Sequence, residues 1–248
     1  MTHYFITGAS AGIGAALATK LNKDKHHVSA VARRADRLAA LQQTSDYFCG
    51  YQADVRDADA VAAAVDNCVI SYGPIDVAIL NAGIYAPQDG CQIIPSIYAE
   101  HMDVNYMGVV NGLAAIIPRM LAAGGGQIVI ISSVAGWRGL PKAAAYAPTK
   151  AALIALAESL YFDLTPKNIK IQIMCPGFVD TEATAVNDFD MPDLLTAETA
   201  ADLIISGMQN DVFSHDFPKS FTRKLKILKY LPDRLFFALV GKKTGAGS

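Results

Sequence analysis

The sequence predicts a doubly wound α/β fold, with one parallel sheet covered by helices on both faces. Three observations lead there. Short apolar runs alternate along the chain with longer alanine-rich segments of helical character. The runs are apolar almost throughout, as strands buried on both faces require. A length of 248 residues, 52 % of them hydrophobic, fits one large core.

In chain order, the strands are expected at residues 4–7, 27–32, 47–52, 77–81, 127–132 and 170–175. Helices are expected between them, including residues 13–21, 37–43 and 57–72. Right-handed crossovers then wind the sheet both ways from its middle. No repeat, low-complexity linker or internal boundary interrupts this order, so residues 1–218 read as one domain. Two later helices, 96–123 and 147–164, are apolar around most of their circumference. One face would cover the sheet and the other would meet a second subunit, which predicts a homodimer or homotetramer.

A net charge of −2 gives no case for nucleic-acid binding. No apolar run reads as the ~20 residues of a membrane-spanning helix. The first residues read as a strand running straight into a glycine loop, not as a signal peptide. Cys49, Cys68, Cys91 and Cys175 are scattered, without metal-binding spacing. A cytoplasmic protein that needs no metal is expected.

Residues 7–14 read TGASAGIG, between the first strand and the first helix. Glycines let the backbone turn sharply and approach a phosphate, and the helix N-terminus offers free N–H groups. The expected architecture is therefore a Rossmann-type sheet binding a dinucleotide, with Gly8, Ser10, Gly12, Ile13 and Gly14 as cofactor contacts. Where an acidic residue would select NAD at the end of the second strand, this chain has Ala32-Arg33-Arg34. Arginine matches a 2′-phosphate with a charge-assisted fork. NADP is the expected cofactor and NAD the alternative, with Arg33 on the phosphate and Arg34 supporting it or stacking on adenine.

Tyr146 and Lys150 stand at i and i+4 of a helical stretch, so phenol and ammonium share a face. A nearby ammonium favours the phenolate, which predicts a Tyr146 pKa lowered from about 10 towards neutrality. Such a pair also occurs on helix surfaces without any function. Ser133, at a strand end, adds a hydroxyl and suggests carbonyl/alcohol chemistry. Ser132 is the neighbouring alternative, read as a residue making local hydrogen bonds.

Taken in order from Thr7 to Thr181, about 70 % of the chain, these motifs resemble the short-chain dehydrogenase/reductase family. The resemblance implies that Asp54 and Val55 hold the adenine ring. Asn81-Ala82-Gly83 resembles the family's turn beside the cofactor, although Leu80 replaces its first asparagine. Pro176, Gly177, Val179 and Thr181 resemble the segment at the nicotinamide end. Asn105, Ser133, Tyr146 and Lys150 resemble the catalytic tetrad. By analogy, Tyr146 is the acid/base, Ser133 steadies the substrate oxygen, Lys150 tunes Tyr146 and binds the nicotinamide ribose, and Asn105 holds a relay water. Ala11 stands where NADP-preferring relatives often carry a basic residue, so NADP selection rests on Arg33. The implied activity is hydride transfer between NADP(H) and a carbonyl or secondary alcohol. A non-catalytic dinucleotide sensor on the same fold is the alternative.

Ile84, Tyr85, Val134, Trp137, Leu140 and Phe178 are the candidate substrate contacts, and their apolar character favours a hydrophobic substrate. Arg138 is the one charge among them, read as solvated or ion-paired. Residues 182–195 read as a mobile lid whose Glu182, Asp188, Asp190 and Asp193 argue against highly anionic substrates. The tail, 219–248, holds eight Lys or Arg against Asp233 alone, a net +7, which leaves −9 on residues 1–218. It reads either as an amphipathic helix packed on the domain or a subunit, or as a peripheral contact with anionic lipid on the membrane's cytoplasmic face.

Overall fold

The computed structural model describes residues 1–43 and 45–244. Strands β1 (His3–Thr7), β2 (His27–Ala32), β3 (Phe48–Gln52), β4 (Val77–Leu80), β5 (Gly126–Ile131), β6 (Ile169–Pro176) and β7 (Ser214–Phe217) form one sheet. Its order is β3-β2-β1-β4-β5-β6-β7, and every pairing is parallel. This is the doubly wound Rossmann-type sheet. The winding reverses between β1 and β4, and an open α/β sheet binds ligands at the carboxyl ends of its strands beside such a switch point. The register pairs Thr7 with Val31, Leu80 with Ile130, and Ile131 with Met174. The residues that follow β1, β2, β4, β5 and β6 therefore come to one edge.

Side chains alternate through the sheet. Phe5, Ile128, Ile130 and Ile171 face one layer, where they meet α3 (Ala58–Tyr72), α5 (Gly108–Ala123) and α6 (Ala147–Leu164) through Val65, Ile116 and Leu153. Ile6, Val129, Ile131 and Met174 face the other, against α1 (Gly12–Lys23), α2 (Ala35–Gln42) and α7 (Ala197–Met208) through Leu17, Leu38 and Ile204. Lys20 of α1 and Asp202 of α7 form an ion pair on that second layer.

Three differences from the sequence reading have physical causes. The edge strand β7 reads SHDF, with no apolar run to announce it, and its buried Asp216 is paired by Lys219 and Lys226. The expected helix 96–123 is broken in phase: α4 (Pro95–Met102) passes through a π-helical turn, Asp103–Met107, before α5 begins. That same stretch corrects the membrane-span reading. Pro95–Ala123 is by length and composition apolar enough to cross a membrane, an 18-residue stretch within it having a mean hydropathy of 1.4. Here its Val109, Leu113, Ile116 and Met120 are buried in the core.

The basic tail folds as α8 (Lys219–Lys229) and α9 (Asp233–Thr244), both packed on the domain. Phe221, Thr222 and Phe236 are buried. Arg138 anchors the junction. Its guanidinium donates to the carbonyls of Lys229 (3.2 Å) and Leu231 (2.7 Å), pairs with Asp233, and lies 3.8 Å from the Phe236 ring centroid. It thus satisfies carbonyls at the end of α8 that the helix leaves without partners.

Candidate functional site

A cavity of about 1670 Å³ runs along the carboxyl edge of the sheet. Pockets for a single small ligand hold roughly 300–1,000 Å³, so this one has room for a cofactor and a substrate together.

Its first end is built by backbone. Gly8 has φ +72°, and a Cβ there would come within 2.7 Å of Ala82 Cα. At Gly14 a Cβ would lie 2.3 Å from the Gly8 carbonyl oxygen. No larger residue fits between the loop and the end of β4. Thr7 Oγ1 accepts from Asn81 N (3.0 Å) and Ala82 N (3.1 Å), and Asn81 Nδ2 donates to Thr7 O (3.1 Å). Gly8, Ser10, Gly12, Ile13, Asn81, Ala82 and Gly83 line the cavity, whereas Gly14 lies behind the wall and shapes it. This cradle, at the start of α1, fits a dinucleotide's phosphates by its bare backbone and its helix N-terminus.

Arg33, Arg34, Asp54 and Val55 also line this end. Arg34 Nε donates to Ser10 Oγ (3.1 Å), and Arg34 and Arg37 grip Glu182 at 2.8 and 2.6 Å. These hydrogen bonds hold the Glu182 carboxyl below its ordinary range. Arg33 is exposed and makes no ion pair among the described residues. The Asp54 carboxylate is gripped by Arg56 at 2.7 Å, which lowers its pKa.

The middle carries Ser133, Tyr146 and Lys150. Ser133 caps a short 3₁₀ turn, Val134–Gly136, with its Oγ accepting from Ala135 N (3.2 Å). Tyr146 is the N-cap of α6, and Lys150 lies one turn on, its Nζ 5.6 Å from the Tyr146 ring centroid. Lys150 is 3 % exposed and donates to Ile131 O (3.0 Å). Ser132 makes local bonds, donating to Lys150 O at 2.9 Å. Ser133, Tyr146 and Lys150 line the cavity together. Burial pushes the Tyr146 phenol up to about 12, with the neighbouring Ser133 hydroxyl acting in the lowering direction. Burial also brings Lys150 down to about 8. The expected fall of the Tyr146 pKa towards neutrality is thus corrected, because desolvation of the buried phenol dominates its surroundings.

Asn105 lies in the π-helical turn, fully buried and off the cavity wall. Its Oδ1 accepts from Ile84 N (2.7 Å), and its Nδ2 donates to Ile84 O (3.0 Å) and Thr149 Oγ1 (3.1 Å). Thr149 Oγ1 in turn donates to Tyr146 O (2.7 Å). Asn105 therefore ties the loop after β4 to the start of α6. Neither Thr149 nor His101, whose Nε2 accepts from Ala86 N at 3.1 Å, stands out in the sequence. Their roles depend on contacts between distant segments.

The far end is apolar. Ile84, Tyr85, Val134, Leu140 and Phe178 line it. The Tyr85 and Tyr146 rings meet edge to face at 5.1 Å. Phe178 lies between Phe189 of the 182–195 segment (5.9 Å) and Phe221 of α8 (5.6 Å). Trp137 is placed elsewhere: it packs against the core with Lys226 5.6 Å from its ring, since the 3₁₀ turn carries it behind the wall. Leu225 and Leu228 of α8 and Leu239 and Val240 of α9 complete the wall, and sequence reasoning missed them. Pro176, Gly177, Val179 and Thr181 lie along the cavity where β6 ends. Lys142, at φ +58°, pairs with Asp188 at 2.7 Å across the mouth.

Comparison with known proteins agrees with this geometry. The profile of the short chain dehydrogenase family matches residues 2–191. The chain is 32 % identical over 238 residues to an uncharacterised oxidoreductase of Myxococcus xanthus, covering 94 % of each chain. A short chain dehydrogenase of Burkholderia cenocepacia in complex with NADP superposes with a TM-score of 0.84 at 23 % identity, covering 96 % of this chain and 97 % of that one. A 3-ketoacyl-(acyl-carrier-protein) reductase of Brucella melitensis complexed with NADH gives 0.81 at 23 % identity, covering 87 % and 96 %. With the matched profile, the glycine cradle and the Tyr–Lys helix in one cavity, this chain belongs to the short-chain dehydrogenase/reductase family of NAD(P)-dependent oxidoreductases.

Proposed function

We propose that the protein interconverts a hydrophobic carbonyl compound and its secondary alcohol with NADP(H), using Tyr146 as the acid/base. The observation that carries this reading is that Ser133, Tyr146 and Lys150 line the same cavity as the glycine cradle. A nicotinamide cofactor held by the glycine cradle would supply or accept the hydride. Tyr146 gives its phenolic proton to the substrate oxygen in reduction and takes it back in oxidation. Ser133 donates a hydrogen bond to the same oxygen and stabilises its developing charge. Lys150, held by Ile131 O, would bind the nicotinamide ribose of a bound cofactor. Asn105 acts by position, because both protons of its amide are committed to Ile84 and Thr149.

With Tyr146 pushed up to about 12, the phenol stays protonated at neutral pH and suits reduction. Oxidation needs the phenolate, so its rate should climb with pH throughout the range below that value. Arg33, exposed on the cavity wall with no ion pair among the described residues, supports NADP over NAD. Following NADPH absorbance with a panel of apolar aldehydes and ketones tests the whole reading. Binding of NADPH with no turnover of any of them would favour the sensor.

Two surfaces support the remaining expectations. Helices α5 and α6 expose Leu121, Tyr161 and Phe162, which suits a homodimer or homotetramer, and a monomeric mass by light scattering would contradict it. Helices α8 and α9 and the turn between them expose Ile227, Tyr230, Leu235 and Phe237 among their lysines and arginines, which suits peripheral contact with anionic lipid. Absence of vesicle binding at low salt would exclude that contact. The four free thiols fit a reducing, cytoplasmic setting.

A further inference from the structure

The charges around the substrate end differ from what its sequence suggests. Of the acids on the lid, Glu182 is taken by Arg34 and Arg37, and Asp188 by Lys142. Among the described residues, that leaves Asp190 as the cavity-lining lid acid without an ion pair. Lys224 of α8 and Lys242 and Lys243 of α9 also line the cavity. All three are exposed, and none makes an ion pair or side-chain hydrogen bond among the described residues. Among the described cavity-lining residues of the lid, α8 and α9, the balance of unpaired charge is therefore positive.

The arrangement is ordered along α9. Leu239 and Val240 belong to the apolar wall, and Lys242 and Lys243 follow three residues later on the same helical face. At 1.5 Å of rise per residue, the cations lie about 4.5 Å beyond the apolar positions. On α8, Lys224 shares a face with Leu228, four residues on. An apolar passage leads from Tyr146 and Phe178 to a cationic rim.

We propose that the substrate is an amphiphile whose apolar chain lies against Phe178, Leu225, Leu228 and Leu239, with an anionic group met by Lys224, Lys242 and Lys243. This rests on the carbonyl/alcohol reading above and adds the anionic group to it. The rim matches an acid on its charge, and the apolar wall rejects an acid without a chain. The carboxylate of a free acid and the phosphate of a lipid headgroup share this chemistry.

The test has a binding arm and a turnover arm. In the first, dodecanoate, dodecyl phosphate and methyl dodecanoate are titrated into the wild type, the Lys224→Gln/Lys242→Gln/Lys243→Gln variant and Tyr146→Phe. The anions should bind about tenfold more tightly than the ester to wild type and to Tyr146→Phe, and within about twofold of it in the triple variant. A stronger preference for dodecyl phosphate would point to a lipid headgroup, and one for dodecanoate to a free acid. In the second, oxo acids CH₃–CO–(CH₂)n–COO⁻ are compared with their methyl esters as n is lengthened. The acids should have the higher kcat/KM, and the triple variant should lose that preference while keeping kcat on the esters. Equal binding of anion and ester by the wild type overturns the proposal, as does a triple variant that loses NADPH affinity in place of anion preference. Tight anion binding with no turnover of any oxo acid would keep the subsite and sink the carbonyl chemistry.

Discussion

The two ends of the cavity are made in different ways. The cofactor end is backbone: Gly8 and Gly14 fit where no Cβ fits, and Thr7 and Asn81 hold the strand tips together. The substrate end is side chains brought from afar, with Phe178 after β6, Leu228 from α8 and Leu239 from α9. Backbone geometry tolerates almost no change. A wall of side chains from separate helices can change its lining without disturbing the sheet, so it is where specificity can vary.

The largest predicted effect falls where the ends meet. Tyr146→Phe should lower kcat by about 10³-fold and leave NADP(H) affinity unchanged, as measured by turnover and fluorescence titration. Retention of near wild-type kcat would remove Tyr146 from the mechanism. Next is Lys150. Its folded pKa of about 8 lies below its ordinary 10.5, so the unfolded chain binds more protons between those values and stability rises with pH there. The window is worth about 3 kcal/mol, at about 1.36 kcal/mol per pKa unit. Tyr146, pushed up to about 12 from 10.0, acts oppositely above pH 10. Cys68 and Cys175, buried thiols pushed up from 9.0 to about 12 and about 11, also act oppositely as pH rises past their ordinary value. Urea unfolding should therefore show the stability of wild type relative to Lys150→Met rising from pH 8 to 10.

A direct contrast of the ends comes third. Gly14→Ala should destabilise by about 1–3 kcal/mol and weaken cofactor binding, since its methyl group would meet the Gly8 carbonyl. Leu228→Ala, on a half-buried wall position, should chiefly raise KM for long substrates. Denaturation midpoints and KM values for the two variants would collapse the comparison if they moved together. The smallest effect is expected at Arg33. Arg33→Ala should lower the NADP-to-NAD ratio of kcat/KM by about tenfold, the worth of one charge-assisted hydrogen bond.

The same division governs how much the sequence reveals. Gly8, Gly14, Ser133, Tyr146 and Lys150 are legible because each sits at a strand end or helix start where local spacing states its neighbours. The parallel sheet is legible because its inner strands are apolar throughout. Edge strand β7 is not, because its SHDF makes no apolar run and the burial of Asp216 depends on Lys219 and Lys226. Trp137 reads as a pocket residue by its place between Ser133 and Tyr146, but the turn after Ser133 rotates it onto the core. Leu225, Leu228 and Leu239 reach the cavity through tertiary packing alone. The lid's acids look like a repulsive patch until Arg34, Arg37 and Lys142 are seen to answer Glu182 and Asp188.

The π-helical turn at Asp103–Met107 works as a phase shifter. A straight α-helix advances about 100° per residue, so one extra residue in a turn rotates everything beyond it. Before the shift, His101 supports the loop after β4, and within it Asn105 ties that loop to α6. After it, Val109, Leu113, Ile116 and Met120 point into the core. Deleting a single residue here would force one half of the helix out of step with its partners. This segment should accept substitutions far more readily than a change in length.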